Sequence, residues 1–346
     1  MKKTILAATT ILAGGLGLAF PASAQTRTLY LGSYGGSTET LMKEHIIPQF
    51  EAENNVRIEY VAGNSTENLA RLQAQRGAQE LDVVMLDDGP MYQAMQLGFC
   101  GTITDIPNLA NTYEVAHLGE TALGLGVVAT TFGYNTEVFA RNGWDAPTSW
   151  NDLADKRFAG VMSIPPISNT YGLHTLIMLA RLHGGGETDI DPGFKYLAET
   201  VAPNVLAFEA SPGRMSELFQ NEEVVFAVWG SGRLVSLQDT GYPVEIVYPS
   251  EGGVALTIAG CPIAGSPNFD LAQSFLDFLL EPENQVSFAA TQGWGPVNRE
   301  VALEPDVAVR VPYGPEQVDS LVTIDWDVAN ENRQEWTRRW AREIER

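Results

Sequence analysis

The chain has 346 residues, 45% of them hydrophobic, with 43 acidic side chains against 21 basic ones and a formal net charge of −22 at pH 7. That length and apolar share suit two domains of ordinary size or one large one, and the acidity disfavours nucleic acid or an anionic membrane surface as a partner. Two cysteines and four dispersed histidines without metal-type spacing give no metal site and no cofactor.

Residues 1–24 read as a secretory signal peptide. Lys2 and Lys3 supply the positive start, Ile5 to Phe20 is an uncharged run, and Pro21-Ala22-Ser23-Ala24 ends it on small residues, so cleavage is expected after Ala24. The apolar run is shorter than the roughly 20 residues that a spanning helix needs. The mature protein is expected to start at Gln25, carry no membrane span and reside in the periplasm.

A short strand over Thr28–Leu31 ends in the loop Gly32-Ser33-Tyr34-Gly35-Gly36-Ser37, and a helix over Thr38–Asn54 follows with Leu41, His45, Ile46 and Phe50 on one face. Next come a strand over Val56–Val61, a loop whose Ser65 or Thr66 caps a helix over Glu67–Gly77, and an apolar strand over Asp82–Leu86. Asp87-Asp88-Gly89-Pro90 breaks that strand ahead of another helix. This alternation is the rhythm of an α/β lobe with a largely parallel sheet.

Leu125–Tyr134 is uncharged and rich in Gly, Val and Thr, and suits a long strand that carries the chain to a second lobe. The second series comprises strands at Val161–Ile164, Val205–Phe208, Val224–Trp229 and Val244–Val247. Its helices fall at Tyr171–His183, Pro192–Thr200 and Met215–Asn221 and near Leu234. After the turn Pro249-Ser250-Glu251-Gly252-Gly253, strand Val254–Ala259 returns to the first lobe, helix Asp270–Leu280 packs there, and a last helix runs over Val328–Arg346, capped by Asp327. Trp336 and Trp340, four residues apart, form its docking face. The division expected is 1–24 signal peptide, 25–129 first part of lobe 1, 130–252 lobe 2, 253–300 return segment of lobe 1, and 301–346 a C-terminal segment packing on lobe 2. Cys100 and Cys261 lie on the two segments of lobe 1, where an oxidising compartment permits pairing. Their apolar flanks suit two buried free thiols equally.

Several blocks carry a resemblance: Phe132-Gly133-Tyr134-Asn135-Thr136-Glu137, Pro147-Thr148-Ser149-Trp150-Asn151-Asp152-Leu153, Lys156-Arg157-Phe158-Ala159-Gly160, Val228-Trp229-Gly230-Ser231-Gly232, Tyr248-Pro249-Ser250-Glu251-Gly252-Gly253 and Gly293-Trp294-Gly295-Pro296-Val297-Asn298. In this order the chain resembles the periplasmic solute-binding proteins of ABC importers, in the cluster that includes spermidine/putrescine-binding proteins. The resemblance implies an α/β, two-lobed periplasmic binding protein of type II, each lobe a mixed sheet flanked by helices, with the ligand cleft between lobes. It implies a monomer that captures a small-molecule solute and hands it to inner-membrane ABC permease subunits, and no catalysis. A sensing adaptor role fits the same features. Ferric-ion receptors of related fold use adjacent tyrosines, and no Tyr-Tyr pair occurs here. The hydrolase motifs Gly-x-Ser-x-Gly and His-Glu-x-x-His are absent as well.

Ligands of open α/β sheets bind beyond the carboxyl ends of strands, which nominates Ser33, Tyr34, Gly35, Asp87, Asp88, Trp229, Ser231 and, in the Gly-rich loop, Trp294. By the resemblance, Tyr34 and Trp229 stand where polyamine binders have aromatic walls, and Asp87 and Asp88 offer carboxylates for an amine. Val254-Ala255-Leu256-Thr257-Ile258, however, lacks the aromatic and the aspartate that those relatives carry after the paired glycines. Ser168, Asn169 and Tyr171, at a helix start, replace acidic residues, a setting suited to an anion. Arg214 and Arg233 are candidate forks for a carboxylate or phosphonate. The expected ligand therefore carries an acidic group, as a γ- or other ω-amino acid does, with a simple diamine or triamine as the second reading.

Overall fold

A computed structural model describes residues 26–345; the expected signal peptide lies outside the described residues. β1 (Arg27–Ser33) leads through the Gly-rich loop into α1 (Ser37–Leu41), which continues through a π-helical stretch (Met42–Ile46) into α2 (Ile47–Asn54). The sequence reads this as one regular helix. Pro48, in the first turn of α2, has no N–H to give the preceding turn, and the widened stretch lies directly before it. Asn55, at φ 49°, ends the run in the left-handed conformation that asparagine tolerates.

β2 (Val56–Ala62), α3 (Ser65–Ala74), β3 (Val83–Asp87) and α4 (Asp88–Gln96) complete the first βαβα series. Two local expectations are corrected. The cap of α3 is Asn64, whose side chain accepts from Glu67 N–H while the Glu67 carboxylate takes Asn64 N–H, a closed capping box. Helix α4 begins at Asp88 instead of after Pro90, because proline is tolerated in a first turn whose N–H groups lack partners anyway.

β4 (Leu123–Asn135) is buried along its whole length, as its uncharged sequence requires. α5 (Thr136–Asn142), β5 (Met162–Ser163), α6 (Thr170–Leu182), α7 (Asp191–Tyr196), β6 (Val205–Ala207), α8 (Pro212–Gln220), β7 (Phe226–Gly230), α9 (Ser231–Gln238) and β8 (Val244–Val247) form the second half. β9 (Val254–Pro262) returns the chain. α10 (Phe269–Leu279) follows, then α11 (Pro282–Gln292), a helix absent from the sequence reading that Pro282 starts. Two short helices, α12 (Pro305–Ala308) and α13 (Pro315–Asp319), precede α14 (Trp326–Glu343). Because α14 begins two residues earlier than expected, its cap is Asp325, which accepts from Val328 N–H at 3.1 Å, and not Asp327.

The strands run in the order β2-β1-β3-β9-β4-β7-β5-β6, with β8 on β4. β1, β2 and β3 pair in parallel, as do β5, β6 and β7, while the crossing strands β4 and β9 pair antiparallel with their neighbours. At Thr130 β4 changes partner: residues 123–130 pair with β9, and 130–134 with β7. Each half has its own core. One centres on Phe132, Trp150, Phe158 and Phe226, with ring centroids 4.7–5.2 Å apart, and the other on Leu29, Phe50, Phe275 and Phe278. Each such side chain, fully buried, contributes about 1.5–3 kcal/mol.

Trp336 and Trp340 of α14 pack into the first of these cores. The same helix also touches α4, where Gln93 Nε2 donates to Asn330 Oδ1 at 3.0 Å and Asn330 Nδ2 to the Gly89 carbonyl at 3.0 Å. Cys100 and Cys261 form a disulfide that joins the segment after α4 to the end of β9.

Candidate functional site

The carboxyl ends of β1, β2 and β3 face the start of α6 and of α9 across a cavity of about 450 Å³. At its base Tyr34 Oη donates to Asp87 Oδ1 at 2.8 Å, and the Ser65 hydroxyl takes Asp87 N–H at 3.0 Å. The Tyr34 carbonyl in turn accepts from Tyr60 Oη, which fixes the loop that bears it. Burial raises the pKa of the Asp87 carboxyl; the hydrogen bonds from Tyr34 and Ser65 and the positive charges of Arg233 and Arg333 pull it back down. Tyr34 is pushed well above the ordinary phenol value by burial and by the Asp87 charge, so it is a donor at any physiological pH.

Opposite stand Ser168, Asn169 and Tyr171. Asn169 caps α6 by accepting from Tyr171 N–H at 2.9 Å. The Tyr171 phenol lies over Gly230, where a Cβ would fall 2.2 Å from its oxygen, so only glycine lets the ring occupy this position. Burial raises the Tyr171 pKa while the neighbouring Arg233 opposes that shift. Trp294 closes one wall, with its ring stacked on Phe288 at 4.9 Å and edge-on to Tyr34 at 6.2 Å.

Of the residues nominated from sequence, Tyr34, Gly35, Asp87, Ser168, Asn169, Tyr171, Arg233 and Trp294 line this cavity. Five do not. Ser33 is buried under the loop with its hydroxyl on Met85 Sδ. Asp88 turns away from the cleft, accepting from Gly89 N–H at 2.9 Å and Thr257 N–H at 3.1 Å. Trp229 points to the opposite face of β7, stacked on Phe219 in a separate core, because side chains alternate along a strand. Ser231 accepts from Ala129 N–H at 3.0 Å and so ties α9 to β4. Arg214 is exposed and paired with Glu217 at 3.0 Å, an i,i+3 contact visible in the sequence.

Arg333 was not nominated. It reaches the cavity from α14, half-buried, with Nη2 donating to the Ile167 carbonyl at 3.1 Å. Burial lowers its pKa to about 10, partly offset by Asp87, and it stays charged at neutral pH. Gln292, also missed, accepts from the Ser37 and Thr38 hydroxyls at 3.0 Å each and holds the start of α1 at the rim. No local pattern marks either residue, since each arrives from a segment remote in sequence.

A wider, open depression of about 1230 Å³ lies between α7 and the end of α14, away from the strand ends. Its arginine, Arg339, is already bound to Asp191 at 2.7 Å and to Glu343. Size alone does not make it the site. Among the described residues no cluster of three or more His, Cys, Asp or Glu side chains could hold a metal ion.

Two α/β halves joined by long antiparallel strands, with a solute-sized cavity at the facing strand ends, define a two-lobe binding protein of the periplasmic type. The chain belongs to the bacterial extracellular solute-binding proteins, whose family pattern matches residues 45–311. It is 24% identical to a gamma-aminobutyric acid-binding protein of Pseudomonas aeruginosa over 94% of each chain. It is also 27% identical to the spermidine/putrescine-binding periplasmic protein of Escherichia coli over 46% of each. The fold superposes on an ABC transporter protein of Clostridium perfringens with a TM-score of 0.79 and 25% identity, covering 91% of this chain and 99% of the other. The protein is thus the solute-binding component of an ABC transporter, a non-enzymatic class that works with membrane permease subunits. No helix among the described residues is long and apolar enough to cross a membrane.

Proposed function

We propose that the protein captures a small ω-amino acid type of solute between its lobes and delivers it to the permease. The observation that carries this reading is the presence, in one cavity, of a single tyrosine-bound carboxylate, Asp87, and two arginines, Arg233 and Arg333. A carboxylate with aromatic rings around it suits an ammonium group. Guanidinium groups from separate helices suit an acidic head. A ligand that bridges both sets would hold the lobes together, and only such differential contact shifts an open–closed equilibrium. The relative named for gamma-aminobutyric acid supports the same chemistry. A diamine or triamine meets one acid and two repelling cations here, so polyamine uptake is the weaker reading despite the spermidine/putrescine relative. In this reading residues 25–129 and 253–300 form lobe 1 and 130–252 lobe 2, with the change of strand partner at Thr130 as the hinge. The protein is exported by residues 1–24 and acts in the periplasm as a monomer.

Calorimetric titration with γ-aminobutyrate, its shorter and longer homologues, putrescine and spermidine tests the proposal. Saturable binding of an ω-amino acid, lost on Asp87→Asn, is expected. Binding of a polyamine with none of the amino acids overturns it.

A further inference from the structure

Resting on that reading of the cleft, we infer that the solute's acidic end is a tetrahedral oxyanion with close to two negative charges, a phosphonate or phosphate monoester, and not a single carboxylate. The argument is one of charge. In a chain with 43 acids against 21 bases, many arginines are ion-paired, as Arg27 is with Asp270, Arg181 with Glu187 and Arg339 with Asp191. Arg233, solvent-exposed and hydrogen-bonded to the Tyr171 phenol, and Arg333, in the same cavity, have no salt bridge among the described residues; the polar contact of Arg333 is a backbone carbonyl.

The only carboxylate lining the cavity among the described residues is Asp87, and both arginines act on it. The wall therefore carries two positive charges against one negative. A zwitterion with one carboxylate adds no net charge and leaves one cation uncompensated once water is excluded, which is costly in a closed site. A ligand with one ammonium and a phosphoryl-type head of about −1.5 to −2 brings the sum close to zero.

Two separate carboxylates would also supply the charge, and glutamate in the titration below stands for that ligand. A compact head with three oxygens can be gripped by two forks at once. The Ser168 and Thr170 hydroxyls at the start of α6 and Thr66 of α3 line the same cavity and add donors. That arrangement differs from what an amine-only ligand needs, since guanidinium groups accept nothing.

The test is calorimetric titration of the protein at pH 7.5 with γ-aminobutyrate, 3-aminopropylphosphonate, 2-aminoethyl phosphate, glutamate and putrescine. The expected result is that the phosphonate or the phosphate ester binds at least tenfold more tightly than γ-aminobutyrate, and the tighter of the two identifies the source. In Arg333→Gln and Arg233→Gln, each checked for an unchanged melting profile, that preference shrinks toward one. γ-Aminobutyrate or glutamate binding as tightly as the phosphonate overturns the doubly charged head and leaves the ω-amino acid reading standing. Putrescine alone binding, or no binding at all, overturns both. The wild-type preference is informative even where a variant fails to fold.

Discussion

Replacing Asp88 by Asn is expected to change how stability depends on pH. The carboxyl is buried between α4, β9 and Trp326, with one oxygen on Gly89 N–H and the other on Thr257 N–H. Burial, reinforced by the Asp87 charge, raises its pKa from 3.8 to about 7 against those two hydrogen bonds. The native protein thus holds a proton that the unfolded chain has already released. The stability this contributes is complete below the unfolded pKa and is lost as pH rises through the folded one. At 1.36 kcal/mol per pKa unit the loss amounts to about 4 kcal/mol for the wild type across that window. Asparagine does not ionise. It sets its own N–H₂ against one of two backbone donors, a pH-independent loss of about 1–3 kcal/mol. Urea unfolding followed by tryptophan fluorescence, at steps from about pH 4 to 8, gives the stability of variant minus wild type. That difference should move in favour of the variant by about 4 kcal/mol as pH rises. A constant difference would refute the reasoning, for it would mean that the two N–H groups keep the buried carboxylate ionised throughout.

His174 carries the opposite slope. Its Nδ1 meets Thr130 Oγ1 at 2.7 Å, its Nε2 has no partner among the described residues, and burial depresses its pKa to about 3, with the Arg333 and Arg181 charges adding to the shift. Stability from the neutral ring is present above the free value of 6.5 and is lost as pH falls toward 3, by up to about 5 kcal/mol. His174→Gln should flatten the acid limb of the stability curve, and an unchanged acid limb counts against it. Gly230→Ala drives a methyl into the Tyr171 phenol; affinity for the solute should fall at least tenfold by calorimetry, and an unchanged Kd would separate Tyr171 from binding. Changing both Cys100 and Cys261 to Ala opens a link across 161 residues and should remove up to about 5 kcal/mol by loop entropy. A melting temperature equal to that of the wild type would argue that the bond is not made in solution.

Much of the architecture was written locally. Apolar runs mark β1 to β9, and the uncharged stretch that becomes β4 announces a crossing strand, because a strand buried on both faces admits no charge. Loops at strand ends bring Tyr34 and Asp87 into consideration, a helix start brings Asn169 and Tyr171, and a helix beyond Trp229 brings Arg233; all five line one cavity. The sequence also held a warning on Arg214, since Glu217 sits three residues on in the same helix. What a linear reading could not decide was direction and distance. Whether Trp229 faces the cleft depends on which side of β7 its side chain falls, and whether Asp87 or Asp88 does depends on where α4 begins. Arg333 enters the site only because Trp336 and Trp340, on its own helix, dock α14 into the core that Phe158 and Phe226 share. Periodicity and turn chemistry, acting within a few residues, make the strands and helices legible in the chain. Which charges meet is set by packing between segments a hundred residues or more apart, as between Asp87, Arg233 and Arg333.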